Sequence, residues 1–113
     1  MLWGRLVKRR WGYYITLLDR KHFKVKLLLF WRGRECSNQL HMRRNELWLI
    51  LSGSGRMQIV DKLKNSKVTY LFSGGWIIAP QHLSHQFYAY NPSLVLEIQY
   101  GEKCDESDIV RVP

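Results

Sequence analysis

The chain has 113 residues, the size of one domain, and a domain of that size buries about two-thirds of its unfolded surface. Hydrophobic residues make up 46% and aromatics 13% of it, which excludes a disordered chain. Its longest apolar runs, Lys26 to Trp31 and Leu47 to Gly53, are too short to span a bilayer. With 18 Lys and Arg against 9 Asp and Glu the net charge is +9, which draws in phosphates, nucleic acid or an acidic partner and says nothing about fold.

Arg5, Lys8, Arg9 and Arg10 interrupt any signal-peptide core, so a soluble, cytoplasmic protein is expected. From Tyr13 onward, short segments rich in Val, Ile, Leu, Tyr, Phe and Trp are cut by turn residues every 8 to 12 positions or so, the rhythm of an all-β sandwich or barrel. Strands are predicted near 13–18, 23–31, 47–51, 55–61, 67–72, 76–79, 85–90 and 93–100. The turns between them include Ser52 to Gly55 and Ser73 to Gly75, whose glycines supply positive φ. Only Asp105 to Ile109 suggests a helical turn, because its acids favour a helix N-terminus. Cys36 and Cys104 lack the paired spacing of a zinc knuckle or a redox motif. They read as reduced thiols, Cys36 as a small hydrophobe.

The whole chain, 1–113, reads as one domain, a double-sheet jelly roll whose paired sheets can enclose a ligand. Gln39 and His41 are two apart, so in an extended chain their side chains leave the same face. If residues 42–45 turn or bulge, Glu46 points into the same cavity, and His85 follows a later apolar strand and a proline turn. A Gln oxygen, two imidazoles and a carboxylate suit zinc first, then manganese, iron, cobalt or nickel, with open positions for water or substrate.

Three ordered motifs carry a family resemblance. Trp11-Gly12-Tyr13-Tyr14 comes first, then Gln39, His41, Arg44, Glu46 and Trp48, then Glu106, Asp108, Ile109, Val110 and Arg111. Gly33 to Gly53 resembles the first cupin motif, and Gly75 to Asn91, with Pro80 and His85, the second. The set is similar to the cupin domain of type II phosphomannose isomerases, which usually follows a mannose-1-phosphate guanylyltransferase domain. Over about residues 8–111 the resemblance implies a double-stranded β-helix barrel with a metal on Gln39, His41, Glu46 and His85. Arg43 stands where the general cupin pattern has a second histidine, and a cation beside it is repelled unless the guanidinium turns outward. Arg10 stands where the opening segment usually has proline, and His82 is an additional imidazole. The nucleotide-transfer segment is missing, so guanylyltransferase chemistry is not expected of these residues.

The resemblance implies aldose–ketose isomerisation of a sugar phosphate, which needs a polarised carbonyl, a base, and cations for enediolate and phosphate. His82 is the candidate base, and Arg44 and Arg111 the candidates for oxyanion or phosphate. Arg43 and Trp48 join them as substrate-binding residues. One alternative is a cupin that binds a small anionic sugar or metabolite without turnover. Another is a basic nucleic-acid interaction module, since residues 5–14 alternate cations with aromatics, although the family motif accounts for the same stretch. A homodimer is expected, because Tyr13 to Leu18 and Phe23 to Trp31 offer more apolar strand surface than one small barrel covers.

Overall fold

The computed structural model describes residues 4–104 and 109–112. Among them the regular structure is all strand, and no helix is long and apolar enough to cross a membrane. In chain order the strands are β1 (Val7–Arg9), β2 (Gly12–Asp19), β3 (Phe23–Phe30), β4 (Gln39–His41), β5 (Arg44–Ser52) and β6 (Ser54–Val60). There follow β7 (Ser66–Phe72), β8 (Trp76–Ala79), β9 (Ser84–Ala89), β10 (Ser93–Gly101) and β11 (Ile109–Arg111). Every strand predicted from the turn rhythm is present. The three the rhythm missed, β1, β4 and β11, are three residues long and mix charge with apolar side chains, too short for alternation to register. The suggested helical turn falls on 105–108, outside the described residues, and its last residue, Ile109, opens β11.

Two antiparallel sheets form the jelly roll, ordered β1-β2-β3-β10-β5-β8 and β11-β4-β9-β6-β7. Along β5 every second residue is buried, in the order Arg44, Glu46, Trp48 and Ile50, and along β10 the buried set is Ser93, Val95, Glu97 and Gln99. Register aligns these with β3 in cross-strand rows: Phe30 with Ser93, Leu28 with Val95 and Ile50, Lys26 with Glu97 and Trp48, and Lys24 with Gln99 and Glu46. One end of the interior is therefore apolar, closed by Phe30, Ile50, Met57, Phe87 and Val95, which are fully buried. The other end is lined with charge, and that division positions the site.

The apolar strands that suggested a dimer are not edges. β1 pairs along β2, and β10 pairs along β3. Exposed apolar side chains gather instead on β7 and β8, at Tyr70, Phe72, Trp76 and Ile78, each strand the last of its sheet.

The β1–β2 hairpin turns through Arg10 and Trp11, and the Trp11 ring stacks on Phe30 at 4.3 Å between centroids. Gly12 makes this approach feasible: its φ is +151°, and a Cβ there would overlap the carbonyl oxygen of Leu29. Gly74 also has positive φ, +86°, but opens onto empty space. Gly12→Ala is accordingly expected to cost about 3 kcal/mol or more, strain plus overlap, and Gly74→Ala only about 1 kcal/mol. Urea unfolding of both variants checks the ranking, and equal losses would contradict it.

Candidate metal centre

Glu46 stands at the centre of the charged end, buried on β5. Its Oε2 lies 2.8 Å from His41 Nε2 and its Oε1 3.1 Å from His85 Nε2. Trp48 Nε1–H donates to Oε1 at 2.9 Å, and Arg44 Nε approaches Oε2 at 3.3 Å. Burial alone pushes the Glu46 carboxyl up, but the His85 imidazole and the hydrogen bonds from His41 and His85 outweigh it and hold the group well below the usual carboxylate range.

Local geometry explains who gathers there. β4 carries His41 inward, the chain bends at Met42 and Arg43, and β5 restarts with Arg44 and Glu46 facing in. His85 comes from β9, whose backbone pairs with Gln39 of β4. His41, Glu46 and His85 offer ligand atoms that all lie within 4.8 Å of one another, and half-buried Gln39 lines, together with His41 and Glu46, a cavity of about 640 Å³.

The donor set fits a divalent transition metal. His41 Nε2 sits between the Glu46 carboxylate and Arg44 Nη2, the latter at 3.2 Å. A ring nitrogen carries either a hydrogen or a lone pair, so it satisfies only one of these neighbours. A cation between imidazole and carboxylate satisfies both lone pairs, and the mixed N/O set is the kind zinc and its neighbours accept.

The structure places the other sequence candidates as follows. Arg44 is fully buried and tied to Glu46 and His41. Trp48 lines the cavity, with its N–H committed to Glu46 and its ring edge-on to His85. Arg111 lines the cavity from β11 and donates to Ser37 Oγ at 2.8 Å. Two candidates lie outside this cavity. Arg43 is exposed and does not line the cavity, because the bend at 42–43 shifts the inward position to Arg44. His82, in a left-handed conformation with φ 71°, lines a second cavity of about 310 Å³ beside Asp61 and Lys64.

Sequence reasoning missed Glu97, Gln99 and Lys26, all cavity-lining. The available signal was polar residues at alternate positions of apolar strands, in "LVLEIQ" and "FKVKLLLF". Gln99 Nε2–H donates to Glu97 Oε1 at 2.7 Å. Burial, followed by the nearby Glu46 charge, pushes the Glu97 carboxyl up to about 8 against the opposing pull of Lys26. Arg9 and Arg10 also line the cavity, so the basic opening segment belongs to this site. Cys36 is buried with its thiol pushed up to about 12, chiefly by burial, in keeping with a hydrophobe rather than a nucleophile.

A jelly roll with inward His, Glu and His on neighbouring strands is a cupin. Residues 2–113 match the family described as mannose-6-phosphate isomerase C-terminal, and the chain belongs to that family. It is 32% identical over 108 residues to a mannose-1-phosphate guanylyltransferase of Sinorhizobium fredii, covering 92% of this chain and 20% of that protein. It is 30% identical over 116 residues to the xanthan biosynthesis protein XanB of Xanthomonas campestris pv. campestris, covering 96% of this chain and 23% of XanB. The chain thus spans about a fifth of the length of these relatives. Among solved structures, oxalate decarboxylase from Bacillus subtilis superposes with a TM-score of 0.85 at 17% identity, over 96% of this chain and 30% of that one.

Glu97 generates a pH prediction. Its carboxyl titrates from 4.5 when unfolded and from about 8 when folded, so between these values the native state holds a proton that the unfolded state has lost. Stability therefore falls as pH rises through that window. In chelator-treated protein, Glu97→Gln is expected to flatten the fall by a few kcal/mol, at roughly 1.4 kcal/mol per unit. Denaturant midpoints at pH 5 and pH 8 check it, and an unchanged slope would contradict it.

Proposed function

We propose that this domain is a metal-dependent sugar-phosphate isomerase site, with mannose 6-phosphate and fructose 6-phosphate as the pair to test. One observation carries the reading: a His41–Glu46–His85 cluster opens on a cavity lined by five cations and two carboxylates. His41, Glu46 and His85, with Gln39, are the residues that would hold a divalent ion, zinc first. When bound, that ion supplies Lewis-acid polarisation of a carbonyl.

The chain's own groups do the remaining work in this proposal. Arg44 holds the Glu46 carboxylate and the His41 ring in place, a positioning role. Trp48 fixes the other carboxylate oxygen. Isomerisation moves a proton between adjacent carbons. Glu97 is the lining carboxyl placed to take that proton, and it does so from its ionised form, which prevails above about pH 8; His82 faces the other cavity. The cationic lining favours an anionic substrate over a neutral one.

We also infer a cytoplasmic setting, in keeping with the buried free thiol of Cys36, and pairing with a second copy through the apolar edge strands β7 and β8. Light scattering at high micromolar concentration is expected to report a dimer, and a monomer would reject the pairing.

Metal titration calorimetry and an isomerisation assay test the main proposal. The intact protein is expected to bind about one divalent ion, with affinity falling roughly tenfold or more in His85→Gln, and chelation is expected to abolish interconversion until metal is returned. Failure of the intact protein to bind metal would overturn the centre. Metal and sugar-phosphate binding without interconversion would leave a binding cupin rather than an isomerase.

A further inference from the structure

The cavity holds more positive charge than a metal centre uses, and its cations divide into two groups. Arg44 is buried and engaged by Glu46 and His41, and Lys26 is buried with its ammonium 4.6 Å from the centre of the Tyr14 ring, in the cross-strand row of Glu97. Arg9, Arg10 and Arg111 are exposed and line the same cavity. They come from opposite ends of the chain: β1 and its turn supply the first two, and β11 the third. β1 and β11 are each the outermost strand of their sheets, and both edges contribute to the cavity lining.

We propose that Arg9, Arg10 and Arg111 form an anion subsite at the cavity mouth that takes the phosphate of the ligand, leaving its polyol end to the Glu46–Glu97 floor. The inference rests on the sugar-phosphate reading above and assigns that ligand an orientation, phosphate outward. A guanidinium donates two parallel hydrogen bonds to phosphate oxygens, which an ammonium cannot match. All three mouth residues are arginines. Two are already held in place: Arg9 lies over the Tyr14 ring at 5.2 Å and donates to its hydroxyl at 3.3 Å, and Arg111 is fixed on Ser37. Ordering before binding lowers the cost of capturing a ligand. The hairpin that presents Arg9 and Arg10 is pinned by the Trp11–Phe30 stack and by Gly12. A volume of about 640 Å³ is within the range that small-molecule sites occupy.

The test compares two probes, mannose 6-phosphate and inorganic phosphate, by calorimetry on the metal-loaded full chain. Arg10→Gln and Arg111→Gln are each expected to weaken both probes about fivefold or more, and Arg10→Lys by less, because it keeps charge and loses the fork. Lys8→Gln, exposed on β1 and outside the lining, is expected to leave both affinities within twofold. Metal affinity should be unchanged in every variant, which separates loss of the subsite from unfolding. Unchanged binding of both probes in an Arg10→Gln/Arg111→Gln double variant would overturn the subsite, as would failure of the wild type to bind either probe. Arginine-dependent binding of either probe without turnover would uphold the subsite while rejecting the isomerase reading.

Discussion

A carboxylate taken out of water costs several kcal/mol unless donors surround it, and Glu46 is where this protein meets that demand. Two imidazoles, an indole N–H and a guanidinium converge on its two oxygens. They come from β4, β5 and β9, so the carboxylate ties one sheet to the other at the charged end of the barrel. At the opposite end, Phe30, Ile50 and Phe87 do the same with apolar contacts. The two halves share the same strands, and it is the switch in side-chain type along β3, β5 and β10 that turns a packed core into a cavity.

The same convergence sets the electrostatics of the cavity. Burial first, and the ionised Glu46 second, push the Glu97 carboxyl up to about 8, so it keeps its proton at neutral pH. The lining cations, Arg9, Arg10, Lys26, Arg44 and Arg111, then outnumber the ionised carboxylates, the charge balance on which the proposed anion subsite rests.

How far the sequence anticipated this depends on backbone regularity. Period-two alternation made the long strands legible, and Gln39, His41, Glu46 and His85 could be grouped because strand parity and motif order agreed. The candidates that lie outside the cavity fall where parity breaks. A bend after His41 replaces Arg43 by Arg44 at the inward position, and a left-handed φ turns His82 toward a different cavity. Arg9 and Arg10 stand in the sequence as members of a stretch that alternates cations with aromatics, because a three-residue strand leaves no periodic trace, and the β1–β2 pairing that brings them to the cavity is a tertiary fact. Glu97 and Gln99 were visible as polar interruptions of an apolar strand. Their row alignment with Lys26, Trp48 and Glu46 is what gives the interruption meaning.

The central claim is that the two imidazoles and the Glu46 carboxylate form one metal centre. Pulsed electron paramagnetic resonance of the protein loaded with one equivalent of Cu²⁺ tests it directly, because the remote nitrogen of each coordinated imidazole modulates the echo. The account predicts modulation from two imidazoles in the wild type and from one in either His41→Gln or His85→Gln. A spectrum without imidazole modulation, or one that neither substitution alters, would contradict it.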